Sequence, residues 1–256
     1  FASSVLRASR DEAIGDAIGF RERGSLVHSS LAAALEAMRP LWGKASAEEL
    51  ERVALEAARA HLERRGQSAL RRAGLAAALS DVASAVRWSL RQGADLPFYE
   101  AERGFGRGQG WAPLRVGGYF VSGRIDRIDR SVDGRRVRVI DYKTGKAPTR
   151  AELNQQLLQP FLYGLKVAHE LGAEEVEAGY LPLGDRTPRL TQSISAGPGS
   201  EDVQTALSRA ERSIAALASG AVEPRPSHAR ACLRCDGRDL CRRPLSAPLG
   251  SDDEEP

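Results

Sequence analysis

The sequence predicts an α/β fold: a mixed β-sheet flanked by helices, with a helical region in front and a cysteine-bearing tail behind. Three observations predict it. Apolar residues recur at helical spacing from about residue 21 to residue 93, and then the period drops to two. Strand-like and helix-like segments alternate from there to about residue 218. From Val222 onward, prolines, arginines and cysteines replace any periodic pattern. The expected organisation is a helical part over 1–95, a core over 96–220, a cysteine segment over 221–245 and an acidic disordered tail over 246–256.

In chain order, Leu26, Val27, Leu31, Leu35 and Met38 lie on one stripe and place a helix over Gly24–Met38. Ser46 with Glu49 is a capping box that opens a second helix, ending near Arg65 before Gly66. A third covers Ala69–Gln92 and stops at Gly93. Leu96–Glu102 and Val116–Ile128 read as strands, with the Gly104–Gly110 loop between them. No helix follows that loop, so it is not a phosphate-binding fingerprint. Val137–Ile140 continues the sheet, and Asp133-Gly134 predicts a two-residue hairpin turn that needs positive φ. A loop over Gly145–Thr149 leads to a helix over Arg150–Leu171, in which Pro160 marks a kink or a late start. Ala178–Leu183 pairs with Arg189–Ser195, and Glu201–Ala218 is the last helix.

The 256 residues are 42% hydrophobic, enough for a sizeable core. Net charge is +3, but the acidic end leaves the folded part more basic, which fits a polyanionic partner. No run is apolar enough to span a bilayer and no signal-peptide pattern is present, so no membrane partner and a cytoplasmic location are expected. The first residue is Phe1 rather than Met, so the chain is expected to be a piece of a longer protein or to lack its start.

The predicted hairpin sets Asp126 directly opposite Asp141, with Lys143 on the same face as Asp141 and Tyr142 on the other. Facing carboxylates repel, at a cost of up to about 1 kcal/mol. A divalent cation such as Mg²⁺ offsets that, being hard and oxygen-seeking. A lysine beside it can orient a water or stabilise developing charge. Lysine is scarce here, at Lys44, Lys143, Lys146 and Lys166, so its use at this place is pointed. The plain alternative is a solvated hairpin whose charges pair with its arginines. His28, on the first helix, is a packed core histidine or an imidazole ligand beside the carboxylates. Gln159 and Tyr163, four apart, share a helix face and could reach the mouth of the hairpin. Glu100 is a further acidic ligand or an edge charge, and the edge charge is the favoured reading. His61, His169 and His228 read as surface or helix residues. Arg124, Arg127 and Arg130 are candidates for phosphate contacts.

Cys232, Cys235 and Cys241 are spaced C-x₂-C-x₅-C, which suggests metal more than disulfide. Zinc with His228 as fourth ligand is one reading. An iron–sulfur cluster with a fourth cysteine outside this chain is another, and three unligated reduced thiols are the plain alternative.

Four motifs in order, Gly24-Ser-Leu-Val-His28, Gly123-Arg-Ile-Asp126, Ile140-Asp-Tyr-Lys-Thr-Gly145 and Gln159-Pro-Phe-Leu-Tyr163, resemble the RecB-like branch of the PD-(D/E)XK nuclease superfamily. The resemblance spans roughly residues 20 to 245. It implies a restriction-endonuclease-like mixed β-sheet, with His28, Asp126 and Asp141 as ligands of Mg²⁺ or Mn²⁺. Lys143 becomes the catalytic lysine, and Gln159 and Tyr163 support the site. Glu100 resembles the acidic residue often found on the strand before the second motif. The cysteine tail resembles part of the iron–sulfur staple of AddB-type helicase–nucleases, with a 4Fe-4S cluster whose fourth cysteine precedes the nuclease core. The implied activity is DNA hydrolysis in repair and recombination, exonucleolytic rather than endonucleolytic. It would act on single strands or duplex ends, with a helicase domain or subunit as partner. The alternative is a catalytically inactive DNA-binding module of a repair complex on the same fold.

Overall fold

The computed structural model describes residues 20–64, 69–92, 95–106, 108, 110–145, 147–155, 157–184, 188–197 and 199–221. The cysteine segment, His228 and the acidic tail lie outside them. Two compact units divide the chain, one spanning residues 16–211 and the other joining 1–15 to 212–256. The elements below belong to the first unit, except that the last helix runs on into the second.

Three helices come first: α1 (Phe20–Met38), α2 (Ala47–Glu63) and α3 (Ala69–Arg91). A short 3-10 turn at Arg39–Leu41, with Pro40 in its first positions, ends α1. The Ser46 side chain accepts the Glu49 backbone N–H and caps α2, satisfying a donor that the helix leaves orphaned. Leu50, Ala54, Ala58 and Leu62, each four apart, form the buried stripe of α2.

Five strands make the main sheet: β1 (Phe98–Phe105), β4 (Gly123–Arg130), β5 (Arg136–Lys143), β6 (Glu175–Pro182) and β7 (Thr191–Ser195), in that spatial order. All neighbours are antiparallel except β5 and β6, which run parallel. The parallel pair needs a crossover, and α4 (Arg150–Gln155) and α5 (Gln159–Leu171) supply it. A separate two-stranded ribbon joins β2 (Leu114–Val116) to β3 (Tyr119–Val121). The last helix is α6 (Glu201–Ala218).

Alternation sorts the sheet's faces. Ile140, Tyr142 and Leu181 join Leu31, Leu35, Val82 and Val86 in one core against α1–α3. On the other side α5 comes so close that a Cβ added to Gly164 would lie 2.2 Å from that of Ala196. Only a residue without a side chain allows that approach.

The structure corrects three expectations. The β4–β5 register is the expected one, with Arg127 opposite Ile140 and Arg130 opposite Val137, but the turn is wider than two residues. Ser131 donates its N–H to the Arg136 carbonyl around residues 132–135, and Gly134 has φ +76° whereas Asp133 keeps negative φ. The Asp133 carboxylate takes the Ser131 hydroxyl and the Arg135 N–H, so an aspartate-stabilised loop replaces the two-residue turn. Val116–Ile128 is not one strand, because Gly117 (φ +58°) turns the chain back between β2 and β3. The Arg150–Leu171 helix is two helices, and Pro160 sits in the first positions of α5, where its missing N–H costs nothing.

Candidate active site

Four elements converge at the end of the sheet where β4 begins and β5 stops. The Gly24–His28 stretch of α1 brings His28, whose Nδ1 is 3.3 Å from Asp126 Oδ1 and whose ring meets Tyr142 edge-on at 5.6 Å. The Asp126 Oδ2 atom accepts the Tyr142 backbone N–H at 2.9 Å. The β4–β5 ladder stops one residue earlier, at Arg127 and Ile140. At the next step the Asp126 side chain, rather than a backbone carbonyl, engages the β5 backbone.

Glu102 completes this group, and sequence reasoning missed it. On β1 it falls between the pairs Ala101–Arg127 and Arg103–Ile125, and so lies across from Asp126. Ligand atoms of His28, Glu102 and Asp126 all lie within 4.8 Å of one another. Glu100, the acidic residue singled out on this strand, pairs instead with Arg103. The two glutamates share parity, so alternation cannot choose between them. A backbone irregularity at Phe98/Glu100 and the positive φ of Glu102 (53°) shape the strand there, and neither has a sequence signal.

Asp141 lies next to this group and is engaged by Lys143, whose Nζ is 2.6 Å from Asp141 Oδ2. Lys143 also lies 5.1 Å from the ring centre of Tyr180. Tyr163 of α5 packs edge-on against Phe105 over Gly123, at the rim of the site. Gln159 opens α5 one turn earlier and is half-buried.

The electrostatics describe a place short of positive charge. Burial pushes the Asp141 carboxyl up to about 6, and the Asp126 charge adds to this against the pull of Lys143 and His28. Burial also raises the Glu102 carboxyl, again with Asp126 adding to it. For His28, burial acts to lower the value, but the hydrogen bond and charge of Asp126, with Glu102 and Asp141, outweigh it and leave it raised. Glu102 Oε1 is buried without a hydrogen-bond partner among the described residues. An orphaned carboxylate oxygen beside a second carboxylate and an imidazole is a donor set that could hold a divalent ion.

The three arginines expected at phosphates do not act alike. Arg124 is exposed and pairs with Glu102 at 3.0 Å, at the edge of the site. Arg127 is buried, with its side chain 1% exposed, and cannot meet a phosphate. It binds Asp129 and Ser89 and lies against the rings of Trp88 and Phe98. Arg130 stacks on Tyr99 and donates to the Leu171 carbonyl, four residues along the strand from Asp126, or roughly 13 Å. His61 lies in the last turn of α2, in keeping with a surface or helix residue, and its Nε2 is 3.0 Å from the Ser29 hydroxyl.

A mixed five-stranded sheet between helices, with acidic groups and a lysine at the end of one hairpin, defines a nuclease-type α/β domain of restriction-endonuclease-like fold. The chain belongs to the PD-(D/E)XK nuclease superfamily, whose family description matches residues 1–242. No curated protein matches it.

Proposed function

We propose that this nuclease domain is a Mg²⁺- or Mn²⁺-dependent deoxyribonuclease. The observation that carries the reading is the meeting of the His28–Glu102–Asp126 donor set with the Asp141–Lys143 pair at one sheet end. His28, Asp126 and Asp141 would hold the ion, with Glu102 as a further ligand. Held there, an ion would supply Lewis acidity for phosphoryl transfer to water. The chain's own groups do the rest. Lys143 presents its ammonium where a water or the charge growing on phosphorus needs a donor. Tyr142 fixes Asp126 through its backbone N–H and borders His28 with its ring. Tyr163 and Gln159 lie on the α5 side, where they can support the site and the substrate. Exposed Arg124 serves as a backbone-phosphate contact that carries affinity without reading sequence.

The finer reading rests on the motifs. The substrate is DNA, as single strands or duplex ends, cut exonucleolytically in a cytoplasmic repair or recombination system with a helicase domain or subunit. Among the described residues no helix is long and apolar enough to cross a membrane. Cys232, Cys235 and Cys241 would give three thiolates to a 4Fe-4S cluster, with the fourth from outside this chain. Anaerobic purification tests that part: a brown protein carrying iron and sulfide supports it, and a colourless one carrying zinc overturns it.

The test of the activity is incubation with labelled DNA in Mn²⁺, in Mg²⁺ and in chelator. Cleavage is expected only with metal, and it should be lost in Lys143→Ala and Asp141→Ala while DNA binding remains. Full activity in either variant would remove the site from consideration. Metal-independent binding with no product from the wild type would favour the inactive binding module instead.

A further inference from the structure

We propose that Tyr180 is the positioning residue for Lys143, its buried ring being the platform that holds the ammonium beside Asp141. This rests on the reading of Lys143 as the group that acts on the water or the phosphate. In the parallel pairing of β5 with β6, Tyr180 is directly opposite Asp141 and Pro182 opposite Lys143. Residues opposite each other share a face, and so do residues two apart on one strand, so Tyr180, Asp141 and Lys143 lie together. The lysine Nζ is 5.1 Å from the Tyr180 ring centre and 2.6 Å from Asp141 Oδ2. That separation is within the range where a cation is attracted to the negative face of an aromatic ring.

Tyr180 is fully buried, and its hydroxyl has no hydrogen-bond partner among the described residues. The hydroxyl therefore ties it to nothing described, and the ring is the part in use. The need for a platform follows from lysine itself. Its four-carbon stem is flexible, and a single carboxylate contact leaves the stem free to pivot. An ion that draws on Asp141 would also weaken that carboxylate's hold on the ammonium. The ring is uncharged and holds no proton at issue, so its attraction persists when Asp141 is otherwise engaged. Two fixed points, one of them indifferent to the ion, keep the ammonium placed throughout a cycle.

The test has one readout of placement and one of catalysis. The chain has four lysines, so ¹³C-dimethylation of the full-length chain gives few signals, and Lys143→Arg assigns the one of interest. The Lys143 methyl signal is expected to be displaced upfield by the ring current of Tyr180. Tyr180→Phe should keep the displacement, and Tyr180→Leu should move the signal to the position of a solvated lysine while circular dichroism stays that of the wild type. If the leucine variant does not fold, Tyr180→Met, whose unbranched and adaptable side chain fits an irregular gap better, takes its place.

In DNA cleavage the aliphatic variant should lose about tenfold in kcat. Its KM should stay within about twofold, and Tyr180→Phe should recover most of the loss. A wild-type Lys143 signal without displacement overturns the proposal, as does an aliphatic variant with wild-type kcat or a phenylalanine variant as damaged as the aliphatic one. A displaced, Tyr180-dependent signal in a protein that cleaves no DNA sinks the nuclease reading but leaves the placement of Lys143 standing.

Discussion

Asp141 shows at the scale of one residue how a site can work against the fold that carries it. Its carboxyl is raised from an ordinary 3.8 to about 6, first by burial and then by Asp126. The charged form is therefore the disfavoured one in the metal-free chain. Below about pH 4 the group is protonated whether folded or unfolded and contributes fully; that stability is lost as pH rises through about 6. Asp141→Asn should thus stabilise the protein in chelator at about pH 8, by up to about 3 kcal/mol, with the gain shrinking towards about pH 4. Thermal melts at the two pH values check this. Glu102 tells a related story. Glu102→Gln should weaken Mn²⁺ binding in isothermal titration by at least about tenfold, because it replaces a charged ligand oxygen with a neutral amide. Glu100→Gln should leave that affinity unchanged, because Glu100 is taken up by Arg103.

Among the elements, β4 carries the largest commitment to the interior. Arg127 sits on it as a charge sealed against Trp88 and Phe98, and the guanidinium stays charged because Asp129, with Tyr142 adding to it, outweighs the desolvation that acts to neutralise it. Removing one member of such a pair leaves the other stranded. Arg127→Leu should cost roughly 3–5 kcal/mol, and Arg127→Leu with Asp129→Leu should cost less than the single change. Urea denaturation of the three proteins decides it. The packing of α5 makes a second commitment. Gly164→Ala would force a methyl against Ala196, and should lower stability by about 1–3 kcal/mol through overpacking. These two sites also mark where sequence reading falls short. An arginine on a strand beside a nuclease motif reads as a DNA contact, and nothing local says that two aromatic rings from other elements enclose it. The register of β4 on β5 was legible because β-branched alternation and a central Asp-Gly constrain it. The loop's true width was not, because Ser131 and Asp133 form it through side-chain bonds that leave the register unchanged.

For the whole molecule, the splits of Val116–Ile128 and Arg150–Leu171 were not readable, but the coarse order of helical and strand regions, the mixed sheet and its flanking helices were, from periodicity and breakers. That is where hydrophobic pattern speaks most directly. The convergence of α1, β1, β4 and β5 was only half readable. His28, Asp126, Asp141 and Lys143 could be named because the motifs lie in order along the chain. Glu102 could not, because its place depends on backbone irregularity in β1. The same convergence makes ligand binding a property of the fold. An ion that binds only the assembled site should raise the melting temperature as its concentration passes Kd, by an amount equivalent to about 2.7 kcal/mol at a hundredfold excess over Kd. Chelator should return the melt to its starting value.

The early end of the β4–β5 ladder has a further consequence. Two strands that part while still within the sheet leave peptide groups that must be satisfied by something other than each other, and here one aspartate does that duty for the amide of Tyr142. The fork is thus sewn shut by a group that is itself a candidate ligand. Hydrogen exchange at that single amide becomes a gauge of occupancy, slowing when a cation locks the carboxylate in place and quickening when the cation is withdrawn.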